Sequence, residues 1–534
     1  MAFEDSLRHR PGAGIAVLRA ARIATLVGTL VFGALTSTAI GQSLTIVMPT
    51  IGGVGWGADD LAKLTTDLDA EIVGTPALRG AHVGVLAKDT RSGDVLYARN
   101  VDDEFQPAST LKLLVGSVAL EKLGPGYRFE TSAYERSHGA GPVSVVNQRL
   151  IGDLVLRGGG DPFLRADDLQ SFADSVKASG IRSVVGFVVD ATRFDDRLYP
   201  AGWTSDDISQ SYAPVVSAMT VEKNVLHVRV VPRAGGVDLL AQVLPKDAGF
   251  YLEHCGPTLD PLVEPMVNIG PSGTENTLDT VRERTGCTNI VGNIAVDSLP
   301  SDLEFAVPSP TVYAYRIATM KLAGLGIDPG SYFSHEPEPW TFTTIVPMKK
   351  GAPVLWRHES APLESWLGSR FWIPSDNLTA ELVLKELGYR TGGDPGTTDK
   401  GIAYERSWLQ SIGIDPATTT LADGSGLSQY DRITPRDLVA ILQYDWNGPN
   451  RQLVLDSLPV GGARGTIEGI AGTPAAGRVF AKTGSMSHVR GLAGYLATQR
   501  HGAVTFAFNV DDWNGDYASL AALRARVLSR IVSD

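Results

Sequence analysis

Pro107-Ala108-Ser109-Thr110-Leu111-Lys112 is the stretch that decides how this chain is expected to fold. Leucine and valine recur at helical spacing from Ser109 to Leu123, which predicts a helix over this run. Serine is a favoured N-cap and a proline just upstream suits a helix entrance, so Ser109 is expected to cap the helix. Ser109 and Lys112 then lie on one face, because residues three apart are neighbours on a helix.

A serine three residues before a lysine has two interpretations. The first is catalytic: a serine hydroxyl needs an adjacent base to act as a nucleophile, and a lysine whose pKa is lowered by burial or by a second cation can be that base. The second is a capping serine followed by a solvated lysine, which many helices contain. This stretch alone does not distinguish the two.

Two further short motifs follow in chain order and favour the catalytic interpretation. Ser375-Asp376-Asn377 opens a second apolar-periodic helix, and Lys482-Thr483-Gly484 ends a predicted strand. Together with Ser109-x-x-Lys112 they match, in order and in structural context, the motif set of penicillin-binding proteins and class A β-lactamases. Three motifs in this order rarely agree by chance, so the sequence predicts active-site serine chemistry.

The longer sequence segments around these motifs resemble those of the class C low-molecular-mass penicillin-binding proteins. These are the D-alanyl-D-alanine carboxypeptidase/endopeptidases of the penicillin-binding protein 4 type. The segments that carry the resemblance are Pro107-Ala108-Ser109-Thr110-Leu111-Lys112, Gly158-Gly159-Gly160-Asp161-Pro162, Asp423-Gly424-Ser425-Gly426-Leu427-Ser428, Leu458-Pro459-Val460-Gly461-Gly462 and Ala481-Lys482-Thr483-Gly484-Ser485. The long interval between Ser109 and Ser375 agrees with that family, which carries extra domains between its first two motifs.

The resemblance implies an α+β fold: a transpeptidase-like domain, with a helical cluster on an antiparallel sheet, interrupted by inserted β-rich domains. The expected order is an export segment and linker (1–57), the first part of the transpeptidase-like domain (58–130), the inserted domains (131–337) and the second part (338–534). Short strand-like runs separated by glycine and proline turns in the middle third agree with the insertion.

The resemblance also assigns catalytic roles. Ser109 would attack the carbonyl of a D-Ala–D-Ala bond or of a β-lactam and form an acyl-enzyme, with Lys112 as its base. Ser375 would relay a proton to the departing amine, and Lys482 would tune the charge of the cluster. Asn377 would hold Lys112 and the substrate amide. No cofactor is implied.

Substrate binding is expected at the third motif. Lys482 and Thr483 suit the terminal carboxylate of the substrate, with Gly484 and Ser485 beside them, and the N–H groups of Ser109 and Ser485 would form the oxyanion hole. Asp161 is a candidate for a stem-peptide ammonium group, although a turn aspartate before proline explains it equally well.

One sequence segment departs from the family pattern. The family often has Ser-Arg-x-Asn after its Asp-Gly-Ser-Gly loop, whereas this chain has Ser428-Gln429-Tyr430-Asp431. That arginine is associated with a carboxylate on the side chain of the stem peptide. Its absence puts recognition of such a carboxylate in doubt. Asp423 itself is expected to be structural.

The N-terminus predicts export. Four arginines within residues 8–22 precede an uncharged apolar stretch over residues 23–40, with small residues near Ala39. This is either a signal cleaved near Ala39 or an uncleaved membrane anchor. In both cases the body of the protein faces the periplasm or cell wall. The two cysteines, Cys255 and Cys287, are then expected to form a disulfide, two free thiols being the alternative.

Composition and short motifs exclude other classes. The net charge of −12, with no basic stripe, argues against nucleic acid as a partner. His335-Glu336 and His358-Glu359 lack the second histidine of a zinc peptidase, so no metal is expected. The expected partners are peptidoglycan stem peptides and β-lactam antibiotics, and the membrane if the anchor is retained. The competing functions are a serine β-lactamase and a wall-binding protein with a vestigial site.

Overall fold

A computed structural model describes residues 44–50, 52–136, 143–241, 263–282, 288–330, 354–467 and 469–534. The apolar N-terminal stretch and both cysteines lie outside these residues, so the export segment and the disulfide stay predictions. Leu44–Asp534 forms one compact unit. In the part of the chain that the structure describes, every helix is too short or too polar to cross a bilayer.

The described residues contain sixteen β-strands. They are β1 (His82–Asp89), β2 (Val95–Arg99), β3 (Glu130–Arg136), β4 (Ser144–Val146), β5 (Arg149–Arg157), β6 (Ser183–Asp190), β7 (Val225–Arg233), β8 (Gly236–Ala241), β9 (Val263–Gly270), β10 (Asp279–Arg282), β11 (Thr288–Ala295), β12 (Ser301–Ala306), β13 (Val354–Glu359), β14 (Val479–Met486), β15 (Val489–Ala497) and β16 (Ala503–Asp511).

The α-helices are concentrated at the two ends of the described chain. They are α1 (Ala58–Val73), α2 (Lys112–Lys122), α3 (Asp168–Ala178), α4 (Pro310–Gly324), α5 (Leu363–Trp366), α6 (Asn377–Gly392), α7 (Thr398–Ser411), α8 (Pro435–Asn447), α9 (Arg451–Ser457) and α10 (Tyr517–Ser533). A 3₁₀ turn, Ala108–Leu111, leads into α2, and a π-helical segment, Leu367–Trp372, follows α5.

The sheet that positions the site has five antiparallel strands in the order β14-β15-β16-β1-β2. It joins strands from both ends of the sequence, because β16 pairs with β1. Side chains alternate between its faces. On β14, Phe480 packs into the core that contains α2, α6 and α8, whereas Val479 and Ala481 pack into the core that contains α1 and α10. Helices therefore cover both faces of this sheet.

The middle of the chain has its own sheets and core. The sheet β13-β3-β5-β4 includes β6, which is parallel to β5, and two three-stranded sheets have the orders β12-β7-β8 and β10-β11-β9. Leu154, Phe172, Val228 and Ile317 belong to one buried cluster that unites strands with α3 and α4. The predicted boundary near residue 337 lies outside the described residues, and the domain limits stay a prediction.

The predicted α+β class, with an antiparallel sheet, helical layers and a β-rich middle, is confirmed. The local prediction at Ser109 is wrong. Ser109 lies inside the 3₁₀ turn, and α2 begins only at Lys112, with no side-chain cap. In a 3₁₀ turn the side chains of residues i and i+3 eclipse one another, so the expected proximity of Ser109 and Lys112 is kept by a different geometry.

Candidate active site

The first motif forms a direct contact between serine and lysine. Lys112 Nζ lies 2.8 Å from Ser109 Oγ. The lysine also donates to Asn377 Oδ1 at 2.6 Å and to the Ser425 carbonyl at 2.6 Å. Its side chain is completely buried, and Trp372 Nε1 donates to its backbone carbonyl at 2.8 Å. Lys112 is therefore held at both ends against the serine hydroxyl.

The second and third motifs meet in the same way. Lys482 Nζ donates to Ser375 Oγ at 2.8 Å and to the Thr483 carbonyl at 2.8 Å, and its side chain is fully buried. Ser375 has a positive φ of 60°. For a residue other than glycine this conformation costs about 1–2 kcal/mol. The strained backbone places the hydroxyl of Ser375 just before the helix, where Lys482 reaches it.

Helix α6 begins where the second motif requires it to begin. Asp376 is its N-cap, with the side chain accepting from the Thr379 N–H at 2.7 Å. Lys223 Nζ binds the other carboxylate oxygen at 2.6 Å, so a residue from the middle of the chain fixes this turn. Asn377, the first residue of α6, accepts from Lys112 and donates through Nδ2 to the Tyr212 carbonyl at 2.8 Å.

Burial increases the fraction of both lysines in the neutral, proton-accepting form, compared with free lysine at the same pH. It lowers the pKa of Lys112 to about 8, although Asp423, Glu381 and more distant carboxylates oppose the change. Burial and, secondarily, the charge of Lys112 lower the pKa of Lys482 well below its usual range. A lysine amine with a pKa near neutrality can accept a proton from a serine hydroxyl. The arrangement is chemically able to pair a serine nucleophile with a lysine base.

Strand β14 approaches the serine closely. A Cβ on Gly484 would lie 2.5 Å from the Pro107 carbonyl oxygen and 3.2 Å from Ser109 N, so only glycine allows this contact. Ser485, the next residue, is exposed at the same edge. Thr483 Oγ1 lies 2.5 Å from Thr466 Oγ1, which places two hydroxyl groups together beside the strand.

A buried aspartate organises the glycine-rich loop that follows α7. Asp423 accepts from the N–H of Gly426 at 2.6 Å and of Ser428 at 2.8 Å, from Ser425 Oγ at 2.9 Å, and from Trp203 Nε1 at 2.9 Å. These bonds explain why Asp423 is structural. Gly426 has a φ of 75°, and a Cβ there would lie 1.9 Å from the Ala108 carbonyl oxygen.

Glu381 supports the same loop from α6, one turn after Asn377. Its Oε1 accepts from the N–H groups of Gly424 and Ser425 at 3.0 and 2.8 Å. The Ser425 carbonyl in turn accepts from Lys112. Burial raises the pKa of the Glu381 carboxyl to about 8, and neighbouring Asp423 adds to this. Glu381 thus positions an acceptor of Lys112 without touching the lysine.

Asp161 is not brought into this cluster. It is 1% exposed and accepts from the Phe163 N–H at 2.9 Å, as a turn aspartate does, with His358 Nε2 3.5 Å away. Burial raises its pKa to about 7. These contacts agree with the turn interpretation, and its binding of an ammonium group stays a prediction. Gln429, which stands where the family often has arginine, is exposed.

Sequence reasoning missed several participants. The carbonyls of Ser425 and Tyr212 are backbone groups, which no side-chain pattern can reveal. Glu381 had a signal, because it lies four residues after Asn377 and therefore on the same face of a predicted helix. Thr466 had none. In the described ranges, no group of three or more His, Cys, Asp or Glu side chains is arranged to hold a metal ion.

Comparison with solved structures identifies the fold. The crystal structure of penicillin binding protein 4 (dacB) from Haemophilus influenzae matches with a TM-score of 0.72 at 24% sequence identity, over 88% of this chain and 98% of that chain. A second structure of that protein, described as complexed with a novel β-lactam, matches with a TM-score of 0.68. The chain therefore has the fold of a penicillin-binding protein, with the inserted domains that the sequence predicted.

Sequence comparison gives the family. The model of the D-Ala-D-Ala carboxypeptidase 3 (S13) family matches residues 64–528. D-alanyl-D-alanine carboxypeptidase of Actinomadura sp. (strain R39) is 34% identical over 460 residues, which are 82% of this chain and 79% of that protein. DacB of Haemophilus influenzae is 26% identical over 494 residues, 90% and 94% of the two chains. The chain belongs to the D-Ala-D-Ala carboxypeptidase 3 (S13) family, which confirms the predicted resemblance.

Proposed function

We propose that this protein is a serine D-alanyl-D-alanine carboxypeptidase that acts on peptidoglycan stem peptides through an acyl-enzyme on Ser109. The observation that supports this most directly is the 2.8 Å contact between Lys112 Nζ and Ser109 Oγ, with the lysine buried and its pKa lowered to about 8. The names of the family and of its relatives supply the substrate class.

In the acylation step, Ser109 Oγ attacks the carbonyl carbon between the two D-alanines while Lys112 takes the hydroxyl proton. The tetrahedral intermediate carries a negative oxygen, which the N–H groups of Ser109 and Ser485 stabilise. Removing one such donor typically costs about 2.7–4 kcal/mol. When the C–N bond breaks, Ser375 passes a proton from the lysine pair to the departing amine of D-alanine.

Deacylation uses the same groups in the reverse sense. A water molecule gives a proton to Lys112 as its oxygen attacks the ester carbonyl carbon, and Lys112 returns that proton to Ser109 Oγ when the C–O bond breaks. Asn377, whose Oδ1 holds Lys112, presents its amide to the substrate backbone. In the earlier acylation step, Thr483 and Lys482 bind the terminal carboxylate, which then leaves with D-alanine, at the edge of β14 next to Gly484.

The same site is proposed to react with β-lactams, whose strained amide replaces the D-Ala–D-Ala bond. A relative with this fold has been crystallised with a β-lactam. The substrate is a wall polymer, so we place the catalytic domain outside the cytoplasmic membrane, in agreement with the predicted export segment. Cleavage of cross-linked stem peptides is proposed as a second activity of this site.

The test is intact-mass spectrometry after incubation with benzylpenicillin, together with assay of D-alanine released from a pentapeptide. A slowly released adduct of one equivalent, mapped to Ser109, and D-alanine release that both disappear in Ser109→Ala are expected. The exposed Ser407→Ala on α7 is the matched control and should behave as the wild type. Rapid β-lactam turnover without D-alanine release would identify a β-lactamase, and neither reaction would indicate a vestigial site.

A further inference from the structure

A small cavity lies behind the third motif, on the face of the sheet that α10 covers. Thr466 and Thr483 line it at one side, Ile470 and Leu492 form its walls, and Arg524 from α10 enters it. The cavity is narrow, with room for about one water molecule. Thr466 is exposed and Thr483 is half-buried, so the cavity meets solvent at the two hydroxyl groups.

Arg524 is the unusual member of this lining. Its Nε and Nη2 are inaccessible to solvent and form no hydrogen bond to any described residue. Its inner side borders a second, apolar cavity lined by Val85, Phe506 and Phe508. Burial lowers the pKa of the Arg524 guanidinium to about 10, with the charge of Arg490 acting in the same direction.

No described side chain neutralises this charge. Arg490, the cation whose charge acts on Arg524, donates through Nη1 to the Val489 carbonyl at 2.7 Å and lies over the Trp513 ring at 4.7 Å. No ion pair joins either arginine to an acidic side chain within the described ranges. A buried unpaired charge is costly, and proteins hold one mainly where a ligand or partner supplies the opposite charge.

We propose that Arg524 is a specificity-determining residue for the terminal carboxylate of the substrate. The hydroxyls of Thr466 and Thr483 hold the carboxylate at the mouth of the cavity, and the guanidinium of Arg524 supplies the positive charge from within. This assignment rests on the proposed function. It explains why no described side chain pairs with this charge beside the third motif: the anion arrives with each substrate molecule.

Lys482 alone does not supply a permanent positive charge for the terminal carboxylate of the substrate. Its Nζ is bound to Ser375 Oγ and the Thr483 carbonyl, and burial lowers its pKa well below the usual range. A lysine whose pKa is depressed by burial holds its proton less firmly, which makes it a weaker partner for an anion. Arginine keeps its proton at all working pH values, which makes Arg524 the permanent cation beside Thr483.

The experiment compares two substrates that differ only in the group recognised: a tripeptide ending in D-Ala-D-Ala and the same tripeptide with its C-terminus amidated. Arg524→Met should lower kcat/KM for the free acid by roughly 10- to 100-fold, chiefly through KM, and change kcat/KM for the amide less than about threefold. Arg524→Lys should recover part of the loss. Tm should be unchanged or higher in Arg524→Met, because an unpaired buried charge is removed.

Arg526→Met is the matched control. It lies two residues along the same helix, carries the same charge, and pairs with Glu71 Oε2 at 2.6 Å near the surface. It should leave the selectivity for the free acid unchanged. A change in that control of the same size as in Arg524→Met would show general electrostatic steering and overturn the proposal.

Two further results would also overturn it. If Arg524→Met loses the same factor in kcat/KM for the free acid and for the amide, Arg524 has a purely structural role. If kcat/KM is unchanged for both substrates, Arg524 has no role in the reaction. If the wild type reacts with benzylpenicillin but releases no D-alanine, the same comparison is made with benzylpenicillin and its methyl ester, and loss of selectivity for the acid is again expected. A wild type that does neither refutes the proposed function, and this assignment with it.

Discussion

Lys112 should control the pH dependence of acylation. An ordinary lysine with a pKa of about 10.5 is neutral in only about 3 molecules in 10,000 at pH 7. Burial lowers the pKa of Lys112 to about 8, so about one molecule in ten has a neutral amine at that pH. The environment therefore raises the population of the neutral amine by roughly 300-fold, equivalent to about 3 kcal/mol.

The sign of the pH effect follows from which form reacts. Lys112 must be neutral to accept the proton of Ser109, and it becomes neutral as the pH rises through about 8. The second-order rate constant for acylation should therefore rise about tenfold per pH unit from pH 5.5 to 7.5 and become level above about pH 8.5. Stopped-flow or quenched mass spectrometry with benzylpenicillin measures it.

The Lys112→Arg variant keeps the positive charge at this position but removes the group that can act as a base. The guanidinium keeps the positive charge and stays protonated at every pH used, so acylation should fall by at least about a thousandfold with no rising limb. Lys122→Arg, at the exposed end of the same helix, is the control and should keep the wild-type profile. A wild-type rate that is independent of pH between 6 and 9, or acylation of Lys112→Arg near the wild-type rate, would refute the reasoning.

Two other perturbations test the loop and the core. Gly426→Ala should reduce the acylation rate by at least about a hundredfold in the same assay, because the new Cβ would lie 1.9 Å from the Ala108 carbonyl oxygen. Gly413→Ala is the control, because Gly413 also has a positive φ but has open space around it. That variant should lose only about 1–2 kcal/mol of stability and no activity. Burial raises the pKa of Asp445 to about 7, so the folded state binds the extra proton and stability falls as pH rises from about 4 to 7. Asp445→Asn should flatten that fall in Tm, measured by differential scanning fluorimetry, and an unchanged slope would contradict it.

The sequence was sufficient for everything that depends on short-range spacing and on a known arrangement of motifs. The Ser109–Lys112 contact follows from three-residue spacing, which holds in a 3₁₀ turn as it does in an α-helix. The contacts of Lys112 with Asn377 and of Lys482 with Ser375 came from the resemblance, because nothing local shows that distant segments meet.

What the sequence could not reveal depends on tertiary packing. Arg524 is one of several arginines in an amphipathic C-terminal helix, and Arg526 and Arg530 look the same in the sequence. Only the fold shows that the side chain of Arg524 enters a cavity beside Thr483, whereas Arg526 reaches Glu71. The helix start at Lys112 was missed for a related reason, because α2 is fixed by packing around Trp372 rather than by a serine cap.

The acceptors around Lys112 suit both of its protonation states. A protonated lysine has three N–H donors, and Asn377 Oδ1, the Ser425 carbonyl and Ser109 Oγ accept all three. A neutral lysine has two N–H donors and one lone pair. The two carbonyl-type oxygens can accept only, so they keep the two N–H groups. The lone pair is then left facing the Ser109 hydroxyl, the one partner able to reverse its role and donate.

In the proposed mechanism, this arrangement turns loss of the Lys112 proton into activation of Ser109 without movement of any side chain. Both fixed acceptors depend on α6: Asn377 supplies one directly, and Glu381, one turn later, holds the Ser425 N–H and hence the second carbonyl. A helix of 16 residues with a buried core face is a rigid support. The lone pair of Lys112 is therefore aimed by the same element that carries Asn377, which is why the second motif must stand at the first turn of α6.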